Sequence, residues 1–589
     1  MKHLFPLVPW GLRLALVAFG LAAGCTSHSP KELPIRVRWT RDPDSLDPLL
    51  LANQYANEAA NLLHLSLLQV DFSRNDFSPA LAEALPTVTL LGDSLTQLTY
   101  QLRKAAAWDN GQPITGYDVA LTLKLMYCPG LPNESARAQA GFVRAIEIDS
   151  LNPKRFTLTC QGQAVEYIQA SGDFFILPEN VLDPQHELRP TSLPELQQRL
   201  PTAPPDSALR RLARRYLAAV PMPGSPVPAL GCGPYELSSW QKNQTLRLRR
   251  KTRWWADQVR PRPFVLQARP RQLEFAIIPD DATAALALQH GDIDLYPQVA
   301  AAQFAQLRTS KATHEQLAFY TAPSYDIVAA GFNTQQPALA DSLTRQALSY
   351  LFDAAGLLQA TQLGQGQCTV GLIHPNDQRN YNRSLALLPF APNTTAALLQ
   401  RAGWRQSIPK GPWQRQPQTG PRQNLTLRFR YRADDASFET IALQFRAAAA
   451  SLGIAVELVP TEAAALTPSL QAGDFDVYVR LIKGNPFLFN FVPVLHSSAR
   501  GAGNFTGYGT PASDQLIEAI AAARQPAQKA KLLRQFQAML QADAPLVPLF
   551  FMATRLAASR QLTGLHVSPL KPGYLITTTQ RKSTSSSTP

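Results

Sequence analysis

The chain has 589 residues, of which 45% are hydrophobic and 17% charged, and its net charge is +13. That length exceeds what one hydrophobic core supports, so two or three domains are expected, and the composition excludes a disordered polymer. The basic excess has a single dense cluster, Arg247, Arg249, Arg250, Lys251 and Arg253, which favours an anionic membrane surface or solubility over a nucleic-acid partner.

In chain order, Lys2 and Arg13 precede an uncharged apolar run over residues 14–23. Crossing a bilayer takes roughly 20 such residues, so residues 1–24 are expected to form an export signal. Its end, Leu21-Ala22-Ala23-Gly24-Cys25, resembles the lipobox of bacterial lipoproteins, in which the cysteine becomes the acylated N-terminus. Cys25 is thus the expected lipidation site and residues 25–34 a tether. More than one acyl chain suffices for stable anchoring, and no other apolar run approaches a membrane span. Residues 189–229, rich in Pro, Leu, Arg and Ala, read as an inserted surface excursion around a helix at 207–219.

Two stretches show strand–helix–strand order. Residues 273–278 read as a strand, Asp280 or Asp281 caps a helix over 282–290, Gly291 ends it, and 293–296 form the next strand. Leu425, Leu427, Phe429 and Tyr431 alternate with polar residues, the period of a strand. Phe438, Ile441, Phe445 and Leu452 then follow helical spacing up to Gly453, and Ile454, Val456 and Leu458 alternate again. Such units imply parallel sheets covered by helices. A nonapeptide recurs: Leu288-Gln289-His290-Gly291-Asp292-Ile293-Asp294-Leu295-Tyr296 returns as Leu470-Gln471-Ala472-Gly473-Asp474-Phe475-Asp476-Val477-Tyr478. It is either a reused helix–strand junction or the mark of two similar lobes, an arrangement that places a ligand between them. Residues 577–589 are Ser/Thr-rich and expected to be disordered.

Besides Cys25, four cysteines remain, Cys128, Cys160, Cys232 and Cys368. Their spacing matches no zinc pattern, leaving a Cys128–Cys160 disulfide or four buried thiols. The histidines lack paired ligand spacing, so neither a metal nor a cofactor is expected.

Read in order, Arg41-Asp42-Pro43-Asp44-Ser45-Leu46-Asp47-Pro48, Pro79-Ala80-Leu81-Ala82-Glu83-Ala84, Trp108-Asp109-Asn110-Gly111-Gln112-Pro113, Gly231-Cys232-Gly233-Pro234-Tyr235, Ala402-Gly403-Trp404 and Pro545-Leu546-Val547-Pro548-Leu549 resemble the bacterial extracellular solute-binding proteins, family 5, of dipeptide, oligopeptide and nickel ABC importers. The resemblance covers nearly all of residues 35–575. It implies a type II periplasmic-binding-protein fold, with two α/β lobes around a ligand cleft and an inserted third domain. Lobe I would comprise 35–64, 166–325 and 552–576, domain II 65–165, and lobe III 326–551. The implied function is capture of a peptide or small-molecule solute by hinge closure and delivery to ABC permease subunits, by a monomer tied to the membrane through its lipid anchor at the periplasmic or extracytoplasmic face.

The chain departs from the family where peptide-binding members carry an acidic residue after the strand equivalent to residues 475–482. Here the sequence runs Lys483-Gly484-Asn485-Pro486. An ammonium buried without a counter-charge is costly, so a metal chelate or anionic solute is the alternative cargo, with Lys483 facing the anion. The edge at Leu481 and Ile482 is a candidate for pairing with an extended ligand. By position in the family Asn53, Gln54 and Tyr55 face it, and Tyr325 and Asn333 are further cleft candidates. A chaperone-like lipoprotein on the same fold is a third reading.

One enzymatic pattern competes. Leu91-Gly92-Asp93-Ser94-Leu95 matches the nucleophile motif of GDSL-type hydrolases, and Asp183-Pro184-Gln185-His186 their Asp-x-x-His. The two lie too close together in a chain this long, and Gly92-Asp93 makes a natural turn. A hairpin is expected and no catalytic residue is assigned.

Overall fold

The computed structural model describes residues 33–164, 166–199, 207–224, 230–417 and 421–582. The export signal, Cys25 and most of the tether lie outside them.

The first strand, β1 (Ile35–Trp39), alternates Ile35, Val37 and Trp39 with two arginines, yet Arg38 on the opposite face is buried as fully as Val37 and Trp39. This is the pattern of a strand covered on both sides. Helix α1 (Gln54–Leu63) follows after the aspartate-rich turns. The chain then leaves for an antiparallel sheet of β2 (Thr87–Leu91), β3 (Leu95–Gln101), β4 (Val143–Ile148) and β5 (Arg155–Gln161), in the order β2-β3-β5-β4. Helix α2 (Gly116–Leu125) packs there behind a capping box, Thr115 and Asp118 each bonding the other's backbone end.

The excursion at 189–229 is a correction. Helix α3 (Ser207–Ala219) forms as expected, but Leu209, Leu212 and Tyr216 are buried in the core shared by the first lobe and the inserted sheet. The Tyr216 hydroxyl donates to Asp47. Helix α3 is a wall of the core, because its apolar residues fall at three- and four-residue spacing on one helix face.

The chain rejoins the main sheet through β6 (Tyr235–Gln241), β7 (Thr245–Arg250) and β8 (Gln272–Ile277). Asp280 Oδ1 accepts the Thr283 amide at 2.7 Å and starts α4 (Asp281–His290), and Gly291 at φ +76° ends it before β9 (Leu295–Pro297). β8 and β9 both lie parallel to β1, one on each side. The long strand β10 (Leu317–Phe332) crosses into the second lobe. There β11 (Thr426–Arg432), α5 (Ala436–Ser451), β12 (Ala455–Thr461), α6 (Ala463–Gln471) and β13 (Val477–Ile482) repeat the plan, with β12 and β13 parallel to β11 on either side. Helix α7 (Pro526–Asp543) precedes β14 (Leu546–Ser559), which returns antiparallel to β10.

The two lobes thus share one eleven-stranded sheet, ordered β12-β11-β13-β10-β14-β9-β1-β8-β7-β6 along its main path. Their apolar cores are separate. Among the described strands only β10 and β14 run through both, and their register breaks between Pro323 and Ile327, an interruption that bends and loosens a ladder.

The repeated nonapeptide marks corresponding joints. Asp294 Oδ2 accepts the Arg36 amide of β1 at 2.8 Å, and Asp476 Oδ2 accepts the Arg428 amide of β11 at 2.7 Å. The backbone amides of the same two aspartates donate to the carbonyls of the same two arginines. The four cysteines are free thiols, Cys128, Cys160 and Cys232 being buried. Disorder from 577 onward is corrected as far as 582. Thr577, Thr578 and Thr579 are buried, Gln580–Arg581 pairs with Leu562–Thr563, and the Arg581 guanidinium binds Asp294.

Candidate ligand-binding cleft

The site is built around α1. Asn53 caps it, its Oδ1 accepting from the amides of Tyr55 (2.9 Å) and Ala56 (3.1 Å). At the other end Gly233 donates its amide to Leu63 O at 3.0 Å. A Cβ on Gly231 would stand 1.8 Å from that same oxygen, so the Gly-Cys-Gly-Pro motif is a seat for α1. Lys251 ties the seat to the inserted domain, its Nζ reaching Gly231 O and Asp109 Oδ1, each at 2.8 Å.

With α1 so held, Gln54, Asn57, Glu58, Asn61 and Leu62 line a cavity of about 570 Å³. Their spacing puts them on one face. The face is about 14 Å long at 1.5 Å per residue, the span of about four extended residues. Further walls come from Gln69, Val70 and Phe72, from Gln139 and Asp173–Phe175, from Phe264 and Val265, from residues 571–577, and from Lys483 of the second lobe. Volume and mixed lining are those of a small-ligand site.

Two carboxylates stand in this wall among the described residues. Glu58 accepts from Trp39 Nε1 at 3.0 Å and from the Tyr574 hydroxyl. Burial outweighs these bonds and raises its carboxyl to about 7. Asp173 is half-buried in the cavity wall, and burial raises it to about 6. Lys571 Nζ pairs with Asp326 Oδ1 at 2.6 Å, and the Gly484 amide donates to the same oxygen at 3.2 Å. A carboxylate therefore does stand beside the Lys483 loop, supplied by β10. Gly484 is required there, since a Cβ would lie 2.0 Å from Tyr325 O.

The expected residues part company. Asn53, Gln54 and Lys483 line the cavity, although the Asn53 amide is engaged in the cap and with Asp42 O and Asp44. Tyr55 belongs to the core: it is buried against Trp39 and shares a 2.6 Å hydrogen bond with Thr40. Tyr325 packs on His374 with ring centroids 5.5 Å apart, outside the cavity lining. Asn333 is buried, its Nδ2 donating to the carbonyls of Gly473 (3.2 Å) and Phe475 (3.1 Å), and so holds the second repeat joint. Leu481 and Ile482 pair with Val328 and Ile327 on one side. On the other side β11 pairs only with Val477 and Tyr478, leaving 479–482 as an edge without a strand partner among the described residues. Glu58, Asn57, Asn61, Asp173 and Lys571 were not singled out from the sequence. For the first three the signal was present, as a polar stripe at helical spacing from Gln54.

The second lobe also closes on the inserted domain. Arg524 Nη2 donates to Asp93 O at 2.6 Å and Phe487 meets Phe77 edge-on at 4.9 Å, while Lys529 of α7 pairs with Glu166 where the chain returns from that domain to the first lobe. Burial lowers the Lys529 ammonium to about 8.

The hydrolase pattern dissolves into structure. Ser94 sits in the turn between β2 and β3, where Leu91 pairs with Leu95. Asp183 accepts the amides of Glu187 and Leu188, and His186 faces Glu179 at 3.3 Å. Among the described residues no group of three or more His, Cys, Asp or Glu side chains could hold a metal, and no helix is long and apolar enough to cross a membrane.

Residues 76–503 match the model of the bacterial extracellular solute-binding proteins, family 5, middle part. A probable D,D-dipeptide-binding periplasmic protein of Escherichia coli is 24% identical over 554 residues, covering 92% of each chain. The oligopeptide-binding protein AppA from Bacillus subtilis, solved in complex with a nonapeptide, superposes with a TM-score of 0.68 at 18% identity, over 94% of this chain and 99% of its own. NikA from Brucella suis, solved in complex with Fe(III)-EDTA, gives 0.71 at 17% identity, over 94% and 100%.

Proposed function

Since the chain belongs to the bacterial extracellular solute-binding proteins of family 5, we propose that it captures a peptide or peptide-like solute for an ABC importer, without chemical change to the solute. The observation that carries this reading is the cavity itself: α1 and residues 571–577 meet Lys483 there beside the bulge of β10. In this account the lobes swing at that bulge and at its counterpart in β14, with breaks at 325/326 and 551/552. Lobe I is 35–64, 166–325 and 552–576, domain II 65–165 and lobe III 326–551. Asn53, Gln54 and Lys483 contact the solute, and the open edge at Leu481 and Ile482 receives its main chain. The protein works as a monomer, anchored through acylated Cys25 on the periplasmic or extracytoplasmic face, and hands its cargo to the permease subunits.

Lys483 favours a second reading. Lys483 lines the cavity with no salt-bridge partner among the described residues, which suits an anionic solute or a carboxylate-rich metal chelate, as in the NikA complex.

A thermal-shift screen of the mature protein with di-, tri- and oligopeptides and with metal chelates separates the two. At a hundredfold excess over Kd the cognate class stabilises by about 2.7 kcal/mol. Silence from every peptide with a response to chelates selects the second reading; silence from all of them removes both.

A further inference from the structure

The two carboxylates of the cavity wall have opposite surroundings. Glu58 accepts from Trp39 and Tyr574. Asp173 receives no donor on its side chain among the described residues. Its backbone, in contrast, is clamped. Gln139 Nε2 donates to its carbonyl at 2.6 Å, Leu68 donates its amide to Gly172 O at 3.0 Å, and a Cβ on Gly172 would stand 2.4 Å from Leu68 Cγ. Phe174 and Phe175 follow it in the same wall. A half-buried carboxylate on a fixed backbone, with Phe174 and Phe175 next in the wall and no donor on its side chain among the described residues, is stabilised by a cation that meets it. Burial raises it to about 6.

Its place along the cavity is also defined. Ile176 donates its amide to Leu65 O at 3.0 Å and Phe175 bridges Ser66, so the segment carrying Asp173 joins α1 at its C-terminal end. Lys483, the ammonium without a salt-bridge partner, enters the same cavity from the second lobe. One unpartnered charge of each sign therefore lines a cavity that follows the helix for about 14 Å.

We infer that Asp173 receives the ammonium of a zwitterionic, extended solute, in place of the carboxylate that is absent after β13, while Lys483 faces the solute's carboxylate. This rests on the peptide-like reading above. It makes Asp173, on the segment that returns from the inserted domain, the residue that selects a free amino terminus.

Calorimetric titration of the mature protein and of Asp173→Asn, with unblocked di- to tetrapeptides and their N-acetylated twins, tests it. The expected result is that acetylation of the peptide and Asp173→Asn each weaken binding at least tenfold, and that the variant no longer distinguishes the twins. Unblocked peptides binding Asp173→Asn within twofold of the unsubstituted protein overturn the inference and leave the peptide reading standing. So does equal affinity of the unsubstituted protein for both twins, a comparison that needs no variant to fold. Binding of no peptide overturns the reading and the inference together.

Discussion

The two Gly-Asp-x-Asp joints are the same device in different surroundings. In each, the second aspartate grips an arginine of the central parallel strand of its lobe, through backbone and side chain alike. In the first lobe that aspartate is 3% exposed and also holds Arg581 from the chain's end, and the strand stops after three residues. In the second lobe Asp476 is more open, at 16%, and the strand runs on for six residues to the Lys483 loop. The repeated residues therefore build the lobes, and the residues that line the cavity lie outside both copies of the repeat.

This contrast can be broken experimentally. Asp294→Ala leaves two arginines facing a buried gap and is expected to cost about 3–5 kcal/mol, whereas Asp476→Ala, at a wetter joint, costs about 1–3 kcal/mol. Urea unfolding of the two variants checks the ordering, and equal losses would dissolve the distinction. The first lobe's wall has its own signature. Because Glu58 is raised to about 7, the folded state keeps a proton there that the unfolded chain releases above the usual carboxylate range. Its contribution to stability therefore falls as pH rises through that window, by about 3 kcal/mol in all. Glu58→Gln removes this slope, read as the difference in unfolding free energy from the unsubstituted protein at pH 5 and pH 8. On the exposed second-lobe side the expected effect is smallest: Lys483→Glu weakens a carboxylate-bearing solute by about 0.5–1 kcal/mol in a calorimetric titration. No change would place Lys483 outside the contact set.

Much of the scaffold was legible in the chain. Alternation in Leu425–Tyr431 and helical spacing from Phe438 to Phe445 locate β11 and α5, because a half-buried strand and a half-buried helix each impose one period. The Gly-rich motif around Cys232 was legible as a signature, though not its work as the seat of α1, which only the 3.0 Å contact with Leu63 reveals. The site was less legible. Asn333 is a cleft candidate in the sequence from its place where the chain crosses between the lobes, and its amide is committed to two carbonyls 140 and 142 residues away. Asp173 gave no local signal, since what sets it apart is the lack of a side-chain donor among the described residues. Periodicity reports which face of an element is covered; it carries no record of a charge left without a partner.

The claim that joins these parts is that the lobes close on a solute about the bulge in β10. Small-angle X-ray scattering of the mature protein, titrated with a solute found by the thermal-shift screen, measures it most directly. The account predicts a radius of gyration that falls saturably, with the same midpoint as the calorimetric binding curve. Tight binding with a scattering profile unchanged throughout the titration would contradict it.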